Sequence, residues 1–318
     1  MLNIIIPTYK ARETLPKALD SLVAQTKTMF IVTIVQDCDG EDYSDIIQEY
    51  DRRGLHIQLL STSVNSGPGV ARQVGIDNNK MCDYLMFLDS DDMLMPNAVE
   101  TLYTEAKKNR VDLLSSDFIA ERGHEPNVCL KADRTPVTWT HGKIYSAQYL
   151  KSKNIRFRDD MRMNEDAYFN LIAVNCTDNK KTIPECTYLW RDNKNSLTRG
   201  DGYGGFFLKS WEGYVYGQVL ALKKIAEING SLRDVLCAAT LINIYRHVMS
   251  ALHRKLELDT VKEYCSWLKD VPELQAALDE PEFWDYVHNN LQASEYIEDT
   301  LVFYDIKFSI WVREWIKK

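Results

Sequence analysis

Three acidic clusters and one arginine carry most of the chemistry this sequence could perform. FLDSDD, Phe87 to Asp92, sets Asp89, Ser90 and Asp91 directly behind a short apolar run. Carboxylates crowded at a strand end repel one another, and a divalent cation with hard oxygen ligands is the usual partner that removes the penalty. The alternative is a helix start, with Asp92 capping a segment around Pro96. IVQDCDGED puts Asp37 and Asp39 behind a second apolar run, where a binding site and a plain Asp- and Gly-rich turn fit equally. Between the two lies NSGPGVARQVGI, Asn65 to Ile76, a Gly and Pro turn leading into a helix that carries Arg72. An arginine there suits a phosphate or nucleotide contact as well as an ordinary surface charge. The glycines lack the GxGxxG spacing of a dinucleotide-binding turn. The third cluster, NEDAYFN, places Glu165 and Asp166 in the first turn of a helix that Asn164 can cap, where the helix dipole alone favours acids.

The elements that must position these groups follow from periodicity. Leu2 to Ile6, Phe30 to Val35, Leu55 to Leu60 and Tyr84 to Leu88 read as strands, the last apolar enough to be covered on both faces. Leu15, Ala18, Leu19, Leu22 and Val23 recur at the spacing of one helix face. Strands alternating with helices predict a largely parallel α/β sheet, whose ligands gather beyond the carboxyl ends of its strands. After Leu113 the pattern is mixed, with short strands at Val128 to Leu130 and Thr182 to Leu189. RGDGYGG, Arg199 to Gly205, reads as a boundary or mobile loop. Beyond it the periodicity is helical, through Trp211, Tyr214, Val215, Val219 and Leu220 and then Leu236, Ala239, Leu241 and Ile244. Two domains are expected, an α/β part over 1–205 and a helical part over 206–318.

Composition narrows the function. The chain has 318 residues, a formal charge of -8 and 45% hydrophobic residues, enough for substantial cores and too acidic for a general nucleic-acid binder. MLNIIIPTYKARETL lacks the basic and apolar regions of a signal peptide, and no window approaches eighteen consecutive apolar residues. Seven cysteines without a CxxC pair fit a reducing cytoplasm.

PTYKARETLPKALDSLVAQT, QDCDGED, NSGPGVARQVGI, FLDSDDML and NEDAYFN together resemble the ordered motifs of the GT-A glycosyltransferases of family 2, across roughly residues 2 to 200. The resemblance implies a Rossmann-like nucleotide-sugar-binding sandwich that transfers a sugar with inversion. By the same resemblance Pro7, Thr8 and Tyr9 pack against the base and ribose, Asp37 bonds the uracil ring, and Asn65 and Arg72 lie near base and ribose. Asp89, Ser90 and Asp91 form the DxD, with Asp91 the direct ligand of Mn²⁺ or Mg²⁺ on the donor diphosphate. Asp166 matches the general base, with Glu165 beside it on the acceptor side. QDCDG in place of the more usual DDGS, and Gln73 in place of an Asn after the arginine, depart from the pattern.

WTHGKIYSAQYL, Trp139 to Leu150, resembles the segment preceding the acidic pair in bacterial members. It would set His141 and Lys143 on the acceptor side, although a lone His is more often structural. In WRDNKNSLTRG, Arg191, Ser196 and Arg199 could clamp a diphosphate if the adjoining Gly200, Gly202, Gly204 and Gly205 let the loop close. The tail DIKFSIWVREWIKK offers Phe308, Trp311 and Trp315 beside Lys307, Arg313, Lys317 and Lys318, which suits packing on preceding helices first and an interfacial helix or subunit contact second.

The expected function is therefore a metal-dependent transferase at the cytoplasmic side of the cell membrane. It would move a hexose or N-acetylhexosamine from a UDP-sugar to a hydroxyl of a cell-envelope glycan or glycopolymer such as teichoic acid. The competing readings are a catalytically silent binding subunit and a sugar nucleotidyltransferase. The latter usually carries a glycine-rich basic loop near its start, which PTYKARETL is not.

Overall fold

The first strand shows why the N-terminal sequence makes a parallel sheet covered on both faces. Every residue of β1, Leu2–Thr8, is buried, as a central parallel strand requires. β2 (Phe30–Gln36) pairs with it in parallel on one side and β4 (Tyr84–Phe87) in parallel on the other, while β3 (Ile57–Ser61) extends the sheet beyond β2. In this computed structural model residues 1–122, 129–193, 203–253, 256–291 and 308–318 are described.

The remaining strands are β5 (Met93–Leu94), β6 (Leu113–Arg122), β7 (Cys129–Asp133), β8 (Lys143–Ser146) and β9 (Lys180–Trp190), giving the order β3-β2-β1-β4-β8-β6-β9-β5 with β7 beside β6. β8 runs antiparallel to both β4 and β6, and β9 returns parallel to β6. The chain steps from β1 outward to β2 and β3, then comes back to β4 on the far side of β1. That reversal is a switch point, and it opens the crevice at the carboxyl ends of β1 and β4.

The helices of this part are α1 (Leu15–Val23), α2 (Ser44–Arg52), α3 (Pro68–Asp77), α4 (Ala98–Asn109), α5 (Ala147–Ser152) and α6 (Glu165–Asn175). In α1, Leu15, Ala18, Leu19 and Leu22 are buried, as their spacing predicts. On one sheet face Leu2, Ile4 and Ile6 join residues of α1 and α4 in a single core. A separate group of rings, Phe87, Tyr145, Phe157 and Phe169, packs together, with Phe157 and Phe169 stacked at 4.1 Å.

Three local expectations change. Asp92 caps nothing: α4 begins at Ala98, behind Asn97. Asn164 stands at the N-cap of α6 in the left-handed region (φ 58°) and makes no side-chain cap bond. β6 and β8 were hidden in the mixed pattern because they carry buried polar residues: Ser116 is fully buried, its hydroxyl shared with the Gly142 carbonyl at 3.0 Å and Thr187 at 2.6 Å.

The chain divides into two compact units, Met1–Arg199 and Gly200–Lys318. The second is helical, with α7 (Tyr203–Asn229), α8 (Asp234–His253), α9 (Leu258–Ser266), α10 (Pro272–Ala277), α11 (Pro281–Leu291) and final turns over 308–316. Gly204 and Gly205 thus lie in the first turn of α7 rather than in a loop. The apolar side of the tail packs inside this unit: Trp311 is fully buried and its ring lies 5.5 Å from that of Tyr245. Among the described residues one helix, over Asp234–Leu252, is by length and composition able to cross a bilayer, which the count of consecutive apolar residues did not anticipate. Its stretch is 61% buried, as in the core helix of a globular unit.

Candidate active site

Two aspartates build the loop behind β2. Asp37, 4% exposed, accepts the backbone N–H of Ser66 at 2.9 Å and of Gly67 at 2.7 Å, and the Thr62 hydroxyl at 2.7 Å. Gly67 adopts φ 90° at the entry to α3, a conformation that a side chain resists, and Asp37 holds it there. Asp39 accepts Lys10 N–H at 2.7 Å, Glu41 N–H at 3.0 Å and the Tyr43 hydroxyl at 2.8 Å, while that hydroxyl accepts Ala11 N–H at 3.0 Å. Burial works to raise the Asp39 carboxyl, but donors from Gln36, Glu41, Lys10 and Tyr43 outweigh it and hold it below its ordinary value. The loop carrying Tyr9 is thereby tied to the loop behind β2.

Of the Pro7, Thr8 and Tyr9 group, only Tyr9 offers an exposed ring, at 49%. Pro7 and Thr8 are buried in β1, and the Thr8 hydroxyl donates to the Val35 carbonyl at 3.3 Å. The carbonyl of Asn65 accepts the Arg162 guanidinium.

Behind β4 the three aspartates of DSDD have separate duties. Asp89 receives Arg72 Nη2 at 2.7 Å. Ser90 and Asp91 are half-buried, and Asp91 Oδ2 accepts Asn193 Nδ2 at 2.8 Å. Asp92, 3% exposed, takes the Tyr188 hydroxyl at 2.7 Å and Arg191 N–H at 2.8 Å, and burial followed by the charges of Asp89 and Asp91 drives its carboxyl well above the ordinary value. Asp92 therefore welds the loop to β9.

A cation would have to use this loop with few protein ligands. Among the described residues no group of three or more His, Cys, Asp or Glu could hold a metal ion. One hard carboxylate completed by phosphate oxygens and water is the ordinary arrangement for Mg²⁺ on a diphosphate, and Asp91 fits that role.

On the other side of Arg72 stands the acidic pair of α6. Arg72 Nη1 meets Glu165 Oε1 at 2.8 Å, with side-chain exposures of 5% and 9%. Burial works against the arginine's charge, yet Asp89 and Glu165 more than compensate and keep it protonated. The Asp166 carboxyl is pushed up to about 7, first by burial and then by the charge of Glu165, with Arg72 pulling it back. Half-buried at the start of α6 and titrating near neutrality, Asp166 has the properties of a general base. Asn170, fully buried, braces the turn from below, donating to the Asp166 carbonyl at 2.9 Å and the Thr138 carbonyl at 3.2 Å while accepting the Tyr145 hydroxyl at 2.5 Å.

Several assignments made from sequence shift once these contacts are known. Arg72 is a buried bridge between two carboxylates, not an open nucleotide contact, because both its terminal nitrogens are engaged inside the protein. Glu165 is that bridge's other pillar and does not line an open acceptor face. His141 is 7% exposed in an aromatic stack, 4.9 Å from Tyr188 and 4.7 Å from both Phe118 and Trp139. Burial holds its imidazole down at about 3, so it is neutral and packed, not presented to an acceptor. Lys143 is 1% exposed and donates to the carbonyls of Pro136, at 2.8 Å, and Trp139, at 2.5 Å, so it secures a turn instead of facing outward. Arg191 stands 3.5 Å from Glu121. Arg199, with Ser196, lies outside the described residues.

Sequence reasoning passed over Gly69 and Asn170, and it took Asp92 only as a helix cap and Gln73 only as a departure from the family pattern. Gln73 accepts Phe157 N–H at 2.9 Å, holding the ring that stacks on Phe169. A lone amide side chain inside a helix that is otherwise mostly apolar, as at Asn170 between Phe169 and Leu171, was the available signal.

The acidic loop behind β4, facing the acidic start of α6 across Arg72, lies in a stretch of chain that has counterparts among known sequences. The sequence model of glycosyl transferase family 2 matches residues 3–163, half of the chain. The chain belongs to glycosyl transferase family 2. Relatives in the family include EpsJ of Bacillus subtilis, an uncharacterized glycosyltransferase 26% identical over 218 residues, or 62% of this chain and 63% of EpsJ. A poly(ribitol-phosphate) beta-glucosyltransferase of Bacillus spizizenii is 28% identical over 185 residues, or 54% of this chain and 29% of that protein. The chain thus spans under two thirds of the length of these relatives. Among solved structures, residues 1–349 of Staphylococcus aureus TarS with UDP superpose with a TM-score of 0.68 at 19% identity, covering 90% of this chain and 82% of that one. The same fragment with UDP-GlcNAc gives a TM-score of 0.69. That likeness shows the GT-A fold expected from the motifs.

Proposed function

We propose that this family 2 member is an inverting, metal-dependent glycosyltransferase. It moves a hexose or N-acetylhexosamine from a UDP-sugar to a hydroxyl of a cell-envelope glycopolymer, acting on the cytoplasmic side. The observation that carries the reading is the single buried guanidinium that draws the DxD loop and the first turn of α6 to one place. Relatives named for action on poly(ribitol-phosphate), and a similar fold solved with UDP and UDP-GlcNAc, support a UDP-sugar donor and a polyol-phosphate type of acceptor.

In this mechanism Tyr9 packs on the nucleotide base, and Asp37 keeps the entry of α3 shaped around it. Asp91 would hold the cation, which would supply neutralisation of the charge that builds on the departing diphosphate. Asp166 accepts the proton of the acceptor hydroxyl as that oxygen attacks the anomeric carbon from the face opposite the leaving group. Holding donor and acceptor in line supplies much of the remaining acceleration. The helical second unit is proposed to recognise the acceptor or to join subunits.

The test is a thermal-shift panel of UDP, UDP-glucose and UDP-GlcNAc, each with and without Mn²⁺, followed by an assay for UDP release with poly(ribitol-phosphate). A melting-point rise requiring both nucleotide and cation, together with acceptor-stimulated release, is expected. No rise with any UDP compound would dismiss the transferase reading in favour of a silent subunit.

A further inference from the structure

Among the described residues Arg72 is the one cation hydrogen-bonded to both the DxD loop and the acidic turn of α6, and its surroundings leave it little freedom. It projects from α3 with 5% of its side chain exposed, its guanidinium 5.8 Å from the Phe157 ring. Nη2 reaches Asp89 at 2.7 Å and Nη1 reaches Glu165 at 2.8 Å. Nε is buried with no hydrogen-bond partner, a cost tolerated in order to place the other two nitrogens. Gly69, three positions earlier on α3, leaves just enough room for the Glu165 side chain to come alongside.

We propose that Arg72 is a positioning residue that couples the donor side to the base side of the reaction, by fixing the Asp89 loop and the Glu165–Asp166 turn to one planar guanidinium. Two ends of a rigid fork hold two loops in register in a way that a flexible ammonium cannot. The inference rests on the transferase reading above and adds to it a role that needs no contact between Arg72 and the donor.

The electrostatics give the coupling a signature. Asp166 is faced by Glu165 on its own helix, Arg72 from α3, Asp89 from the loop behind β4, and Lys143 and Tyr145 from β8. Glu165 raises the Asp166 carboxyl and Arg72 lowers it. Removing Arg72's charge therefore moves the base toward higher pH, and removing Glu165's charge moves it toward lower pH.

The experiment compares the full-length wild type with Arg72→Met, Arg72→Lys and Glu165→Gln. It measures UDP affinity in Mn²⁺, kcat and KM for UDP release from UDP-GlcNAc, and the acidic limb of kcat/KM. All three substitutions are expected to keep UDP affinity within about threefold and to lose roughly a hundredfold in kcat, the size of a misplaced catalytic geometry. The limb should rise in Arg72→Met, fall in Glu165→Gln and return close to wild type in Arg72→Lys, which restores the charge but not the fork. A large loss of UDP affinity with kcat retained would make Arg72 a donor ligand and overturn the proposal, as would limbs that move together or not at all. Should Arg72→Met fail to fold, Glu165→Gln and Arg72→Lys decide by the same criteria. A wild type that neither binds UDP nor releases it would instead refute the transferase reading, and a double-mutant cycle of melting temperatures between Arg72→Lys and Glu165→Gln would still report the bridge, additivity counting against it.

Discussion

A β-carbon placed on Gly69 would lie 2.7 Å from Cγ of Glu165 and 3.0 Å from its Cβ. Helix α3 can therefore approach α6 closely only because position 69 has no side chain, and the acidic pair inherits its place from that contact. Overpacking such a site costs about 1–3 kcal/mol. Gly69→Ala should lower the unfolding free energy by that amount in urea titrations and depress turnover more than UDP affinity. Unchanged stability and kcat would mean that α6 has slack the packing does not suggest.

Asp37 offers a second test, because its carboxylate serves the protein's own loop. Each buried donor left without a partner costs about 1–3 kcal/mol, and Asp37→Ala strands the N–H groups of Ser66 and Gly67. The variant should be destabilised and should bind UDP at least roughly tenfold more weakly, about 1.4 kcal/mol. Wild-type UDP affinity by calorimetry would show that the entry to α3 does not shape the nucleotide site.

For the cation, Asp91→Asn should abolish the UDP-induced melting shift that appears in the wild type only when Mn²⁺ is present. The comparison needs no turnover. Wild-type UDP release undiminished by EDTA would remove the metal from the mechanism.

Asp166→Asn should bind UDP normally and lose roughly 10²–10⁴-fold in transfer, the usual value of a positioned proton acceptor. In the wild type the acidic limb of kcat/KM should fall near pH 7, since Asp166 must be ionised to act and burial pushes it up to about 7. Near-normal transfer by the Asn variant would disqualify it as the base.

Stability should carry the same imprint. The folded protein holds the Asp166 proton more tightly than the unfolded chain does, so stability present below about pH 4 is lost as pH rises through about 7. Lys143 acts in the opposite sense: burial lowers its ammonium from 10.5 to about 7, so its contribution is present above 10.5 and lost as pH falls through about 7. Denaturant titrations across pH should show Asp166→Asn flattening the fall on the acidic side and Lys143→Met flattening the rise on the alkaline side. Curves parallel to wild type would mean that neither group is desolvated in solution.

Much of the first unit was legible locally. Strands β1, β2 and β4 and helices α1 and α3 follow from runs of a few residues whose apolar spacing matches the geometry they adopt. β6 and β8 were not legible, because Ser116 and Lys143 are polar residues whose burial is tolerated only through partners in other elements and turns, Gly142 and Thr187 for the first and the Pro136 and Trp139 carbonyls for the second. The roles of Arg72, Glu165 and His141 were misread for a related reason: a side chain's type indicates what it can bond, not which partner reaches it first.

By itself, then, the sequence determined the parallel arrangement of the first four long strands, the acidic character of their carboxyl ends and the family. These depend on periodicities of two and of three to four residues and on ordered short motifs. Only the tertiary structure decided which partner each carboxylate meets. Asp37 turns to Gly67, Asp89 and Glu165 close on Arg72 and Asp92 on Tyr188, and Asp89, Asp91 and Asp166 stay half-buried. Those choices join residues up to 96 positions apart, and strand order and helix packing bring them within hydrogen-bond reach where no local rule could.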